Sequence, residues 1–290
     1  MSSVNEIKQH LKAVEETRQI TNAMYLLSTS RMKKAMENID FNLLYMKRLR
    51  ETIKDILFKA KDSGIHDKYI EDNGLGSAVF VVVTSDKGLC GGYNSAVVKE
   101  TLNRMKEYDN PLVISLGLEG DKLFKQAGIL PEHTWFGASQ HPTLNLATQV
   151  AERLMQLYLT NDYHEVFVVY TEYISSAVQK TKCERLLPLL RRDFSDFDNE
   201  QNYQTDVIYE PSIEVVFEHL VYQYVIGFMY DVFMQSSASE NIARMTSMQN
   251  ATRNADEMID ELAGELNSAR QLQITNEITE IAAATEAGAV

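Results

Sequence analysis

The feature that most constrains the fold is the length of the two terminal segments that show helical apolar spacing. Residues 3–61 and 211–284 carry this spacing without an internal proline, and four of the five prolines lie between them. At about 1.5 Å per residue, such helices would be on the order of 85 and 110 Å long. Their apolar stripes are too narrow for helices that stand alone in water, so we expect each to pack on the other or on a partner protein.

Seven-residue steps in the N-terminal segment predict a coiled-coil seam. The seam is apolar at both ends and is interrupted by polar side chains in its middle. Its positions are Val4, Leu11, Arg18, Tyr25, Met32, Ile39, Met46, Ile53 and Ala60, with Ile7, Val14, Thr21, Ser28, Ala35, Asn42, Leu49 and Ile56.

The C-terminal segment carries a similarly narrow seam, built largely from methionine and small residues. Its positions are Met245, Thr252, Ile259 and Leu266, alternating with Met248, Ala255, Leu262 and Ala269. Because this segment is the longer one, its end is predicted to extend past its mate. The last turns carry Ile274, Ile278 and Ile281, and an exposed apolar tip of this kind requires a socket in a partner.

Charge is distributed unevenly between the two segments. Residues 1–61 contain twelve Lys or Arg and seven Asp or Glu, whereas residues 211–290 contain three Arg and twelve Asp or Glu. Opposite charge favours pairing of the two segments, although two separately solvated helix faces explain the charges equally well. A simple helical bundle, in which these stripes are ordinary core, is the alternative architecture.

The net charge of −13 argues against non-specific nucleic-acid binding.

The middle of the chain alternates between strand and helix patterns. The run 78–83 predicts a strand buried on both faces. Further strands are predicted at 111–116, 165–171 and 178–187, the last of them antiparallel or at an edge, with helices from about 94, from 118 to 126 and from 144 to 159. This alternation indicates a mostly parallel sheet with right-handed crossovers.

These patterns together predict an α/β protein with long helices. An antiparallel coiled coil of the terminal helices is combined with a central Rossmann-like domain that has a mostly parallel sheet. The predicted division is 1–61 for the N-terminal helix, 75–210 for the central domain and 211–290 for the C-terminal helix.

A glycine-rich turn follows the first predicted strand and contains Asp86, Gly88, Gly91 and Gly92. Such a turn could place backbone N–H groups around a phosphate. However, neither G-x-G-x-x-G nor G-x-x-x-x-G-K-[ST] is present, so tight-turn geometry is the simpler explanation. We therefore predict no bound cofactor.

Motifs for catalysis and metal binding are also missing from the sequence. There is no H-E-x-x-H or G-x-S-x-G, and the acidic residues Asp193, Asp196 and Asp198 lack the glycine and glutamate of a calcium loop. Cys90 and Cys183 form no metal or redox motif and fit a reducing compartment. The best candidate membrane span, 220–234, is too short and contains Asp231, and the N-terminus lacks a secretion signal.

Four segments, in order along the chain, resemble signatures of one family, the gamma subunit of F-type ATP synthases. They are QITNAMYLLSTSRMKK at 19–34, TSDKGLCGGYN at 84–94, ENIARMTSMQNATRNA at 240–255 and NSARQLQITNEITEI at 267–281. Four ordered motifs spread from one end of the chain to the other make the resemblance specific.

The resemblance implies a non-catalytic rotor subunit at the cytoplasmic face of the cell membrane. In that family the terminal helices form an antiparallel coiled coil inside a ring of alternating alpha and beta subunits. The α/β domain contacts the c-ring and lies beside the epsilon subunit. Rotation of the c-ring, driven by protons or other ions, is coupled to ATP synthesis or hydrolysis in beta. Membrane contact would occur only through the complex.

The resemblance also implies which residues meet the alpha–beta hexamer. The acidic lever segment of beta would contact Met24, Arg31, Lys33 and Lys34. Arg270 and Gln271 match positions that engage a loop of beta, and Ile274, Ile278 and Ile281 would enter the socket.

The sequence departs from the family pattern at three positions. Asn22 stands where the family usually has a lysine, Tyr25 where it often has an acidic residue, and Leu266 where tyrosine is common.

Two other functions remain to be distinguished: an oxidoreductase or transferase with a helical dimerisation stalk, and a coiled-coil scaffold. The missing phosphate fingerprint counts against the enzyme, and the four motifs count against a scaffold.

Overall fold

The structure is a computed structural model that describes residues 4–63, 69–70, 76–160, 163–175, 178–190 and 209–287. Five helices and five strands are found in these ranges, with the following bounds. They are α1 Val4–Ser63, β1 Ala78–Val83, α2 Tyr93–Met105, β2 Leu112–Leu116, α3 Leu118–Gln126, β3 His133–Trp135, α4 Leu144–Leu159, β4 Glu165–Tyr173, β5 Gln179–Leu187 and α5 Ile213–Ala287.

The sheet has the strand order β3-β2-β1-β4-β5. The first four strands are parallel, and β5 pairs antiparallel with β4 at the edge. The predicted fold class is therefore confirmed, including the antiparallel strand at the edge. The three-residue strand β3 was not predicted, because His133-Thr134-Trp135 has no apolar run; it is held by pairing with the end of β2 and by a hydrogen bond from Thr134 Oγ1 to Asp121 of α3 at 3.1 Å.

Contacts divide the chain into two compact units. The coiled-coil unit contains the described residues up to Ser28 and those from Arg244 onward, and the sheet unit contains the described residues between Thr29 and Ala243. This division follows packing and cuts across both long helices. The three-part division 1–61, 75–210 and 211–290 remains a prediction.

Within the coiled-coil unit, α1 and α5 run antiparallel. The buried core consists of residues from the predicted seams, namely Ile7, Val14, Ala255 and Leu262, flanked by Leu11, Ile259, Leu266 and Ala269. Two polar contacts fix the register one and two turns further along α1: Arg18 with Asp256, and the hydroxyls of Thr21 and Thr252 at 2.8 Å. The polar interruptions Arg18 and Thr21 therefore pair with polar residues on the facing helix.

The sheet unit has three layers, which explains why β1 is apolar at every position. One face of β1 packs on α1, α4 and α5, where Ile53, Phe217 and Phe233 are almost fully buried. The other face packs on α2 and α3 through Val97 and Phe124. Burial of each such side chain contributes about 1.5–3 kcal/mol to the stability of the fold. The strands are therefore held firmly, and the loops at their ends start from fixed positions.

Candidate partner-binding surfaces

The glycine-rich turn after β1 is filled by the protein's own polar groups. Asp86 accepts hydrogen bonds from the backbone N–H of Leu118 at 3.3 Å and of Gly137 at 2.8 Å, and so joins the loops after β1, β2 and β3. The next two N–H groups of α3 donate to Ser85 O and Thr84 Oγ1. The start of α3 therefore offers no free donors of the kind that bind phosphate.

Asn94 closes the same turn from the side of α2. Its Oδ1 accepts a hydrogen bond from Ser85 N at 2.9 Å, and its Nδ2 donates to Ser85 Oγ at 2.7 Å and to Cys90 Sγ at 3.3 Å. Asn94 is buried, so these bonds satisfy groups that would otherwise be costly to bury. Asp86 and Asn94 thus close the end of the sheet, while Gly88, Gly91 and Gly92 lie in the turn between them, where Gly91 has a φ of 59°.

Three exposed apolar side chains surround this closed turn. Leu89 lies in the loop after β1, Leu118 is the first residue of α3 after β2, and Phe136 follows β3; they are 63%, 38% and 59% exposed. Leu89 has a φ of 63°, which is uncommon for a residue with a side chain. Sequence reasoning missed this surface because β3, which places Phe136, was not recognised. Apolar side chains that share one edge of a sheet are typical of a surface that contacts a partner.

The basic residues of α1 lie at the surface of the sheet unit. Lys33 and Lys34 are exposed and Arg31 is half-buried. Among the described residues, neither Arg31 nor Lys34 has an ion-pair partner within 4 Å. Met24, in the coiled-coil unit, is half-buried. The positive charges of this segment are therefore available to an acidic partner.

The end of α5 extends past the last contacts of the coiled-coil unit. The final seam residue of that core is Ala269, and every described side chain from Arg270 to Ala282 is exposed. Among them are the predicted contact residues Arg270 and Gln271. The apolar residues of this end are Leu272, Ile274, Ile278 and Ile281, each 47–67% exposed. We call residues 270–282 the α5 tip.

Among the described residues, no group of His, Cys, Asp or Glu is arranged to hold a metal ion. The acidic residues Asp193, Asp196 and Asp198 lie outside the described residues. Over the same described residues, none of the helices combines the length and apolar character required to cross a bilayer.

Comparison with known proteins decides the family. The profile of the family described as ATP synthase matches residues 3–287. The ATP synthase gamma chain of Clostridium beijerinckii is 33% identical over 277 residues, which cover 95% of both chains. That of Ruminiclostridium cellulolyticum is 38% identical over 288 residues, 97% of both. The chain belongs to the ATP synthase gamma chain family.

Solved structures share the fold of this gamma-family chain. A chain of the Euglena gracilis mitochondrial ATP synthase (OSCP/F1/c-ring) has a TM-score of 0.67 at 15% identity, covering 98% of this chain and 94% of that one. A chain of the Tetrahymena thermophila mitochondrial ATP synthase (central stalk/c-ring) has a TM-score of 0.61 at 22% identity, with 80% and 99% covered. At these identities the likeness establishes the fold alone.

The gamma-family chain carries a half-buried acidic group where α1 and α5 meet in the sheet unit. Asp231 accepts hydrogen bonds from Asn42 Nδ2 at 3.4 Å and from Gln235 Nε2 at 2.8 Å. Burial raises the pKa of Asp231 above its ordinary value, the two hydrogen bonds oppose this, and nearby Glu184 and Glu172 add to it. Asp231 therefore carries its negative charge at a free-energy cost at neutral pH.

Replacing this carboxylate with an amide is expected to stabilise the protein. The pKa of Asp231 is higher in the folded protein than in the unfolded chain. The contribution of Asp231 to stability is therefore greatest below its pKa in the unfolded chain, and it is lost as the pH rises through its pKa in the folded protein. Asp231→Asn should therefore raise the free energy of unfolding at pH 7, and this gain should disappear below about pH 4, where Asp231 is protonated in both states. Urea unfolding at both pH values measures it. The exposed Asp260→Asn is the matched control, and a loss of stability in Asp231→Asn at pH 7 would contradict the assignment.

Both cysteines are expected to be unreactive in the folded chain. Burial raises the pKa of the Cys183 thiol to about 12, and Cys90 is 2% exposed. Since the thiolate is the reactive form, alkylation of Cys183 at pH 8 should be at least about a hundredfold slower than that of glutathione. Mass spectrometry after iodoacetamide treatment, with urea-unfolded chain as control, measures this. Labelling of the folded chain at the rate of glutathione would show that the thiol is accessible.

Proposed function

We propose that the chain is the central-stalk rotor subunit of an F-type ATP synthase. In this role it couples rotation of the membrane c-ring to ATP synthesis or hydrolysis in the beta subunits. The observation that carries the proposal is the α5 tip, an exposed apolar extension beyond the last core contacts of a coiled-coil unit, in a chain that matches gamma chains over nearly its full length.

The α5 tip suits a socket formed by alpha and beta subunits. Its apolar residues Ile274, Ile278 and Ile281 provide contact area without directional hydrogen bonds, so a turning shaft would meet no single strongly preferred angle. Arg270 and Gln271, at the base of the tip, are assigned to a loop of beta. The exposed fractions of these side chains support the assignment, since each is available to a surrounding protein.

The basic segment of α1 is assigned to the acidic lever segment of beta. Arg31, Lys33 and Lys34 supply the charge, and Met24 supplies an apolar contact two to three turns before them. An asymmetric shaft offers a different surface to each beta subunit. Each beta would then prefer a different nucleotide-binding state, because contact shifts the population of its conformations.

The sheet unit is assigned to the c-ring and the epsilon subunit as partners. The complex would place the chain at the cytoplasmic face of the cell membrane as a peripheral subunit. The hydrogen bonds of Asp86 and Asn94 tie the loops at this end of the sheet to one another, which is a structural role for the turn. We propose that catalysis belongs entirely to other subunits.

Assembly tests this function directly. The chain is mixed with alpha and beta subunits from the same source, and the products are separated by size-exclusion chromatography and assayed for ATP hydrolysis. We expect one complex that contains all three subunits and hydrolyses ATP, whereas the chain alone should not. Hydrolysis by the purified chain would favour the enzyme hypothesis, and failure to join alpha and beta would contradict the rotor assignment.

A further inference from the structure

A cleft in the sheet unit combines unpaired positive charge with an apolar floor. It has a volume of about 380 Å³ and lies between α1, the loop before α4 and α5. Arg31 and Lys34 line it from α1. Ala35, Pro142 and Met234 supply apolar lining from all three sides, and Ser237 lies among them. We call this space the basic cleft.

The charges of the basic cleft are uncompensated within the described part of the chain. Several other described Lys and Arg side chains of the sheet unit contact an acid, as Lys125 does with Asp121 and Arg153 with Glu132. By contrast, Arg31 and Lys34 lie one turn apart without an acidic partner within 4 Å in the same ranges. In a chain of net charge −13, two neighbouring unpaired cations at the edge of one cavity indicate an anionic ligand.

The floor of the cleft restricts the kind of anion. Met234 and Ala35 are buried and Pro142 is half-buried, so a ligand that filled the cleft would contact apolar surface. Small-molecule sites typically have volumes of about 300–1,000 Å³ and mostly apolar lining with a few polar groups. Inorganic phosphate alone would leave this apolar surface uncovered, whereas a molecule with an apolar body would cover it.

We propose that the basic cleft binds a small organic phosphate, with its phosphate on Arg31 and Lys34 and its apolar or aromatic body on Met234, Ala35 and Pro142. The binding site itself is independent of the proposed function, whereas its effect on the beta contact rests on that function. A ligand bound there would neutralise two of the cations assigned to the beta contact, and would therefore weaken that contact. The cleft would give the rotor a means of responding to the concentration of a metabolite.

Calorimetric titration of the isolated full chain with phenyl phosphate at low salt tests the site. Phenyl phosphate is expected to bind at least about tenfold more tightly than inorganic phosphate or glycerol 1-phosphate, because only it has an apolar body. Titration with AMP distinguishes the source of the phosphate: AMP binding as tightly as phenyl phosphate indicates a nucleotide, and weaker AMP binding indicates a smaller aromatic or apolar phosphate.

Four variants distinguish binding in the basic cleft from general attraction to positive charge. Arg31→Gln and Lys34→Gln should each weaken phenyl phosphate binding about tenfold or more, since each removes a charged hydrogen-bond donor. The matched control is Lys33→Gln, which removes the same charge from an exposed neighbour that does not line the cleft and should change affinity less than about twofold. Ser237→Leu should abolish binding by filling the floor while both cations remain.

Three results would overturn the proposal: no binding of phenyl phosphate at millimolar concentration, equal affinity for phenyl and inorganic phosphate, or an equal loss in Lys33→Gln. If Ser237→Leu does not fold, the comparison of Lys34→Gln with Lys33→Gln still decides, because both positions are exposed. Binding is measured without alpha and beta subunits. Failure here therefore leaves the rotor assignment intact, and failure of assembly leaves this measurement valid.

Discussion

Gly117→Ala is expected to lower the free energy of unfolding by about 3–5 kcal/mol, with loss of the α3 end of the sheet unit before the rest. Gly117 has a φ of 123°, a conformation that strains any residue with a side chain. A Cβ at this position would also lie 2.4 Å from the backbone oxygen of Thr84, which cannot move without disturbing β1. The backbone strain and the steric clash both destabilise the turn that Asp86 closes.

Two other glycines serve as matched controls for this substitution. Gly128 has a φ of 80°, but no atom lies within 4 Å of the place that an added methyl group would occupy, so Gly128→Ala should cost only about 1 kcal/mol. Gly264 is an exposed helical glycine with open space around it, so Gly264→Ala should stabilise by about 0.5–1 kcal/mol. Urea unfolding measures all three variants. Equal effects of Gly117→Ala and Gly128→Ala would show that the contact with Thr84 is unimportant.

Removal of the α5 tip by ending the chain after Ala269 is expected to weaken assembly with alpha and beta by at least about a hundredfold. The deletion removes Leu272, Ile274, Ile278 and Ile281, and burial of the exposed part of each in a socket is worth roughly 1 kcal/mol. The core of the coiled-coil unit ends at Ala269, so the isolated chain should unfold at an unchanged temperature.

The affinity of the complex for the shortened chain is measured by titration of labelled chain with the other subunits. A chain that ends after Ala282 is the matched control, because it loses its last residues but keeps all four apolar side chains. It should assemble like the full chain. Equal affinity of the two shortened chains would remove the socket role of the tip.

Much of the fold was predictable because its signals are local and repeated. The run 78–83 predicted β1 with the bounds that the structure shows, since a strand buried on both faces is apolar at every position. The bounds of α4 were also predicted, because an amphipathic run begins after Thr143, whose hydroxyl accepts a hydrogen bond from Leu146 N. Every residue of the coiled-coil core belongs to one of the predicted seams, whereas the later seam residues Met46, Leu49, Ile53 and Ile56 lie in the core of the sheet unit.

What the sequence did not reveal depends on contacts between distant segments. Strand β3 exists because of its pairing with β2, and the hydrogen bond from Gly137 N to Asp86 joins residues 51 positions apart. The basic cleft likewise requires α1, the loop before α4 and α5 to meet. Arg31 and Lys34 were identified from the resemblance, but no local pattern placed Met234 or Pro142 beside them.

Observation of rotation in single assembled complexes tests the central claim most directly. Lys99 is exposed on α2, so Lys99→Cys provides a labelling site in the sheet unit while the two native cysteines are expected not to react. With alpha and beta fixed to a surface, a bead attached at position 99 should turn in one direction when ATP is added and stop when ATP is removed. Continued ATP hydrolysis by complexes whose bead only fluctuates about a fixed angle would contradict the rotor assignment.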